Sequence, residues 1–320
     1  MEALVRTLVA TFVALLCGYA GQAALRNHRW GRATDRWSST IKHALILYVT
    51  PVTLVLSFWT LNLKLWMLTI PFLGVAAHLV GGLLGLGGAR RLRLAPPQAG
   101  SMFVCGMMSN LTSFGGLVSY MFFGEPGFAL GAVYRMLEPA VVYGVGFPVS
   151  AALGGRGDGD GRGRSWVRRI LLDPYILVPN LGLLAGVILN ALDVPRLETL
   201  AAWNPILIIG SSLLMVFAIG LTFRPGRLGA YIMPSLTVAS IKFVALPLLM
   251  GLVAYGLGYG QTDGGLPFKI VITMSAMPVA FNALVPPTLF GLDLDLANSS
   301  WLVTTAGFFV MLPLLYLVLA

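Results

Sequence analysis

About ten apolar segments, each near 20 residues long, succeed one another along this 320-residue chain with only short polar stretches between them. A segment of that length and character crosses the roughly 30 Å hydrocarbon core of a bilayer as a helix. Hydrophobic residues make up 57% of the chain and charged residues 10%, with a mean hydropathy of +0.84. A soluble domain carries about a quarter charged residues, and a soluble fold of this size has too little interior to bury so much apolar surface. The expected fold class is therefore an all-α polytopic membrane protein, with spans near 3–25, 40–60, 65–88, 98–123, 127–153, 175–194, 200–223, 229–258, 267–291 and 297–320.

Two of these spans, the fourth and the ninth, are interrupted at what would be membrane depth. The fourth contains Cys105-Gly106-Met107-Met108-Ser109-Asn110-Leu111-Thr112-Ser113-Phe114-Gly115-Gly116. The ninth contains Met274-Ser275-Ala276-Met277-Pro278-Val279-Ala280-Phe281-Asn282-Ala283-Leu284-Val285-Pro286-Pro287. A backbone leaves helical geometry inside a bilayer only where protein or a water-filled cavity satisfies its freed N–H and C=O groups. Paired interruptions at corresponding places in two halves of a chain point to the binding site of a transporter.

The charges between spans alternate. The connections after spans 1, 3, 5 and 7 carry Arg26, Arg29, Arg32, Arg36, Lys42, Arg90, Arg91, Arg93, Arg156, Arg162, Arg164, Arg168, Arg169, Arg224 and Arg227, whereas the opposite side carries Arg6, Lys64, Arg196 and Lys269. The positive-inside bias then places the odd-numbered connections in the cytoplasm and both termini outside a cytoplasmic membrane. The formal charge of +9 is thereby a topology signal, and no nucleic-acid partner is expected. Ala20-Gly21-Gln22-Ala23 resembles a signal-peptidase site, but only Arg6 precedes the apolar stretch and the basic cluster follows it, so the first segment is expected to be a true span. Cys17 and Cys105 both fall in apolar segments, and His28, His43 and His78 are scattered, so no disulfide framework or metal site is expected.

Ten spans divide into five and five, and an odd number per repeat inverts the second copy in the membrane. The expected organisation is a first repeat at 1–153, a cytoplasmic linker rich in Gly and Arg at 154–170, and a second, inverted repeat at 171–320. The linker offers no apolar residue to a core over its stretch from Gly154 to Arg164 and reads as a solvated, flexible connection.

The run Ser109-Asn110-Leu111-Thr112-Ser113-Phe114-Gly115-Gly116, followed by Phe122-Phe123-Gly124-Glu125-Pro126-Gly127, resembles the fourth span of the auxin efflux carrier family, which includes bacterial malonate and malate permeases and the plant PIN-FORMED auxin transporters. Met277-Pro278 through Asn282 to Phe290-Gly291-Leu292-Asp293-Leu294-Asp295-Leu296-Ala297 is similar to the family's ninth span and the start of its tenth. Pro51, Gly220-Leu221 and Lys242-Phe243-Val244-Ala245-Leu246-Pro247 add to the likeness. Where family members commonly have Gly-x-Pro, this chain has Gly115-Gly116-Leu117, so glycine flexibility is expected to loosen the fourth span in place of a proline. The resemblance implies the fold of bile-acid sodium symporters: a scaffold of spans 1, 2, 6 and 7, through which a homodimer could form, and a transport domain of spans 3–5 and 8–10 with two crossed, broken helices.

Residue chemistry at the two breaks suits an organic anion. Half-helix N-termini offer free N–H groups and a positive dipole end, and the amides of Asn110 and Asn282 both donate and accept. Candidate substrate contacts are Asn110, Asn282, Thr112, Ser113, Gly115, Ser275 and Pro278. Arg135 and Glu138, three apart, either pair on one helix face or leave Arg135 as an anion anchor. Lys242 either bonds freed carbonyls at the crossing or carries substrate charge, and His78 is either a packed histidine or a protonation site. Pro51 and Pro205 are expected to bend scaffold helices. These features predict an alternating-access carrier of a small organic anion such as a dicarboxylate or an indole carboxylate, needing only the bilayer and its cargo. The alternatives are a sodium-coupled symporter of larger amphipathic acids, and a channel or membrane sensor. No cofactor or enzymatic activity is expected, and the coupling ion, proton or sodium, stays open.

Overall fold

The computed structural model describes residues 2–25, 33–155, 172–222 and 228–319, so residues 156–170 of the linker and most of the first basic cluster lie outside the described residues. The regular elements among the described residues are helices. In chain order they are α1 (Glu2–Leu25), α2 (Ala33–Ala44), α3 (Thr50–Trp59), α4 (Ile70–Arg91), α5 (Pro96–Met107), α6 (Gly116–Tyr134), α7 (Glu138–Val141), α8 (Phe147–Leu153), α9 (Pro174–Ala191), α10 (Glu198–Gly220), α11 (Ile232–Ser240), α12 (Leu246–Gly256), α13 (Leu266–Ser275), α14 (Val285–Phe290) and α15 (Leu294–Leu319). Joined through short 3₁₀ and π turns, they give eight helices long and apolar enough to cross a membrane among the described residues. The chain is a polytopic membrane protein.

Among the described residues eight long helices stand where ten spans were expected, and the fourth and ninth expected spans are the two not found as continuous helices. The fourth expected span starts as α5, which has 12 residues and reaches only about 18 Å at 1.5 Å per residue. Its second half continues into the fifth as one stretch, Leu111–Leu153, bent at Gly124, where φ is +66° and Pro126 follows. The ninth is split into α13, with 10 residues, and α14, with 6.

Three of the helices widen into a π turn at a fixed distance before a proline. The turns Leu45–Val49, Val142–Gly146 and Ile241–Ala245 are followed, with one residue between, by Pro51, Pro148 and Pro247. Proline brings no N–H and its ring crowds the carbonyl four residues back, so the preceding turn opens to i→i−5 bonding. The bonds Thr50 N–H to Leu45 O, Phe147 N–H to Val142 O and Leu246 N–H to Ile241 O carry that pattern. The bend expected at Pro51 thus takes the form of a π turn, whereas Pro205 sits within α10.

The chain divides into two compact units. The first comprises Met1–Leu65, Thr112–Ala132 and Leu171–Arg224. In it α1 packs on α10, and α9 on α3. Gly18 and Gly220 permit the first approach, because a Cβ on either would collide with the other helix's backbone, Phe217 O or Leu15 O. The end of α3 is gathered by Asn190, whose Nδ2 donates to Phe58 O, Trp59 O and Leu61 O at 3.1, 2.9 and 2.8 Å. Arg196 Nη1 donates to Leu56 O at 2.9 Å and to Glu125 Oε2 at 2.8 Å, pinning the bend after Gly124.

The second unit comprises Trp66–Leu111, Val133–Ile170 and Pro225–Ala320. Its interior is closed by fully buried side chains including Ile70, Met102, Val104, Ile270, Val271, Trp301 and Phe308. Helix α4 lies along α5, α11 along α15, and α12 along α13. Both helix breaks that lack an intact α-helix through the expected span begin in this unit.

Candidate functional site

Helix α5 stops because Met108 turns to extended backbone, φ −89° and ψ 121°. Helix α13 ends at Ser275, three residues before Pro278, whose missing N–H disfavours a helix interior and which biases Met277 away from helical geometry. The two extended stretches find each other. Ser109 and Val279 form an isolated antiparallel bridge, with Asn110 N–H donating to Pro278 O at 2.8 Å and Ala280 N–H to Met108 O at 3.2 Å. Val279 N–H donates to Thr304 Oγ1 on α15 at 3.2 Å. These backbone groups released by the two breaks are therefore satisfied by the chain itself, as the interior of a membrane protein demands.

Lys242 secures the same junction. It comes from the π turn Ile241–Ala245, has 0% exposure, and donates from Nζ to Gly106 O at 2.7 Å and to Ser109 Oγ at 2.8 Å. The last carbonyls of a helix are both unpaired and at the negative end of its dipole, which is where an ammonium is stabilised. Of the two roles open to Lys242 in the sequence, these contacts are those of carbonyl support. Gly106 is held close to α4 in turn: a Cβ on Gly106 would strike Gly81 O, and one on Gly81 would strike Gly106 O. Glycines at both positions let the backbones touch, and that contact fixes the carbonyl to which Lys242 bonds.

The structure sorts the remaining sequence candidates. Pro278 contributes its carbonyl to the bridge. Ser275, at the end of α13, shares a hydrogen bond of 3.0 Å with Tyr134 OH, and both side chains are buried. Asn110 is buried at 7% exposure, whereas Asn282, in the 3₁₀ turn Phe281–Leu284, is exposed and its carboxamide makes no hydrogen bond with the described chain. Thr112, Ser113 and Gly115 belong to the first unit, in the π turn Leu111–Gly115, with Thr112 half-buried and the other two buried. The glycines Gly115 and Gly116 were expected to loosen this span, but the break lies earlier, at Met108–Asn110, and Gly116 already opens α6.

His78, on α4, is buried at 3% exposure; its Nδ1 donates to Gly74 O at 2.7 Å and its Nε2 lies 3.9 Å from Glu138 Oε1. Arg135 and Glu138 do not share a helix face, since residues 135–137 form a turn and Glu138 starts α7, its N–H donating to Arg135 O at 3.0 Å. Their side chains act on each other electrostatically. Ser109, Tyr134 and Thr304 are site residues that sequence reasoning did not select. Ser109 lay in the interrupted run, but nothing local marks Tyr134 or Thr304, whose partners are 141 and 25 residues away. Among the described residues no cluster of three His, Cys, Asp or Glu side chains could hold a metal ion.

No protein-family model matches the chain. It is 24% identical over 243 residues to an uncharacterized transporter of Methanocaldococcus jannaschii, an alignment that covers 73% of this chain and 70% of that one.

Proposed function

We propose that this protein is a secondary carrier that moves a small organic anion, a dicarboxylate or an indole carboxylate, across the cytoplasmic membrane by alternating access. The similarity to a protein named as a transporter and the membrane-helical fold support transport in general. The observation that carries the reading further is the junction of two broken helices within one compact unit, stapled by Lys242, with the exposed Asn282, without a side-chain partner among the described residues, two positions after Ala280. Such a carboxamide can bond a carboxylate through its N–H groups while the backbone around it stays satisfied. The likeness to auxin efflux carriers belongs to the same reading. Under it α5 with its continuation and α13 with α14 count as the fourth and ninth spans, giving ten in two inverted repeats with termini outside. The second unit draws segments from both halves of the chain, which supports a transport domain distinct from a scaffold, although Thr112–Ala132 falls in the first unit. Sodium coupling has less support at this junction, because the carbonyl and hydroxyl oxygens that would suit a hard cation are taken by an ammonium.

The test is counterflow. Proteoliposomes preloaded with unlabelled malonate or indole-3-acetate should transiently concentrate the labelled anion, with saturable kinetics. Passive equilibration without overshoot would instead indicate a channel.

A further inference from the structure

We propose that His78 and Glu138 form a proton-binding site, and that a proton held between them is bound together with the transported anion; the second half of this statement rests on the carrier function proposed above. Helix Leu65–Arg91 has 27 residues and His78 stands midway along it. A carbonyl can only accept, so the bond to Gly74 O places one proton on Nδ1 and fixes the tautomer. That leaves Nε2 as a bare acceptor, buried and without a hydrogen bond. Facing it is another acceptor, Glu138 Oε1, at 3.9 Å, beyond hydrogen-bonding distance. Two acceptors face each other here, one buried and one half-buried, with room for one proton between them. Taken up by Nε2, that proton turns the contact into an N–H directed at a carboxylate and closes the gap to a charge-assisted bond.

The surroundings make the proton a partner of an anion. The elements packed against α4 bring few ionisable side chains near its middle: Glu138 on α7 with Arg135 in the turn before it, Tyr134 at the end of α6, Cys105 on α5 and Lys242 in the π turn, while Lys269 and Tyr255 lie on α13 and α12. Glu138 acts electrostatically on both Arg135 and Lys242. With Arg135 and Lys242 as cations and Glu138 as the anion, the cluster is positive by one with His78 neutral, and the added proton makes it positive by two. Excess charge at membrane depth is costly unless paired. A carboxylate cargo bound in the same unit offsets it, so each ligand strengthens the binding of the other, as linkage requires. The same unit holds this cluster and the junction at Gly106 and Ser109, with Lys242 touching the junction directly.

The proton site is tested by ¹⁵N-histidine NMR of the purified protein in detergent, with the His78 signal identified by its loss in His78→Gln. The expected result is that acidification adds a proton at His78 Nε2 in the wild-type protein and that Glu138→Gln weakens the hold on it, because the carboxylate partner is gone. A His78 that gains no proton on acidification, or one indifferent to Glu138→Gln, overturns the site whatever the cargo. Coupling is tested with labelled malonate and indole-3-acetate in proteoliposomes under an imposed inward proton gradient. Wild-type protein should accumulate one of them at least tenfold over the no-gradient control, and His78→Gln should bring accumulation down to the control level. Counterflow without gradient-driven accumulation overturns the coupling and leaves the carrier function standing. Absence of both removes the carrier function and the coupling with it, and leaves the proton site to the NMR result.

Discussion

An ammonium with no access to solvent has to find oxygen, and Lys242 finds it on the backbone of a helix that has just ended. Replacing it by methionine keeps the volume and removes both bonds, leaving Gly106 O without its donor. A bond from a charged donor is worth about 1.5–3 kcal/mol, and bonds inside membranes tend to the low side of such ranges, so Lys242→Met should cost about 2 kcal/mol. The expected signature is a lower melting temperature together with a lower maximal transport rate; a raised apparent KM with unchanged melting would show instead that the lysine meets the substrate. The two asparagines should separate in the same assays. Asn282→Ala removes an exposed amide with no partner among the described residues and should reduce transport with little change in melting. Asn110→Ala removes a buried amide at the bridge and should lower both, with a stability loss of about 1–3 kcal/mol. That Lys242 needs buried partners was readable from the sequence, because a lone cation in an apolar span has no other way to persist. The different burial of two asparagines in matching broken spans was not, since it is set by what packs over each one.

At the scale of elements, the breaks illustrate what local chemistry encodes. Pro278 marks the second break directly, and the polar run at Ser109-Asn110 marks the first, so both were legible. The displacement of the first break from Gly115-Gly116 to Met108–Asn110 was not, because extended backbone there is held by Pro278 and Ala280, residues some 170 positions away with no trace in local propensity. The π turns show the reverse case: three prolines at one offset impose a local distortion, and the third of these turns carries Lys242. Contact between α4 and α5 depends on Gly81 and Gly106. Gly106→Ala would drive a Cβ into Gly81 O, and neither backbone is free to retreat without moving the carbonyl that Lys242 holds. The expected outcome is a clear loss of monodisperse protein on size-exclusion chromatography, larger than that of Gly87→Ala on α4, where a Cβ meets nothing within 4 Å. Equal behaviour of the two variants would show that the helices can separate at little cost.

For the whole molecule, hydropathy made the membrane class legible before any motif was considered, since apolar length maps directly onto bilayer thickness. Counting spans was harder. A helix broken in mid-span keeps the apolar composition of a crossing while losing its continuity, which is why the fourth and ninth expected spans do not stand among the eight long helices. Orientation follows from a different force, the bias that keeps arginine and lysine on the cytoplasmic side, and it can be tested in a connection chosen for its basic charge. Gly159 lies in the 154–170 connection, where Arg156, Arg162, Arg164, Arg168 and Arg169 cluster. A cysteine introduced there, in a background with Cys17 and Cys105 replaced, should resist an impermeant maleimide in intact right-side-out cells and react once the membrane is permeabilised. A cysteine placed after Glu2 should show the opposite pattern, because both termini are expected outside. If Gly159→Cys labels readily in intact cells, the basic connections face outward, and the direction in which the proton gradient would drive the anion through the His78–Glu138 site has to be reassigned with them.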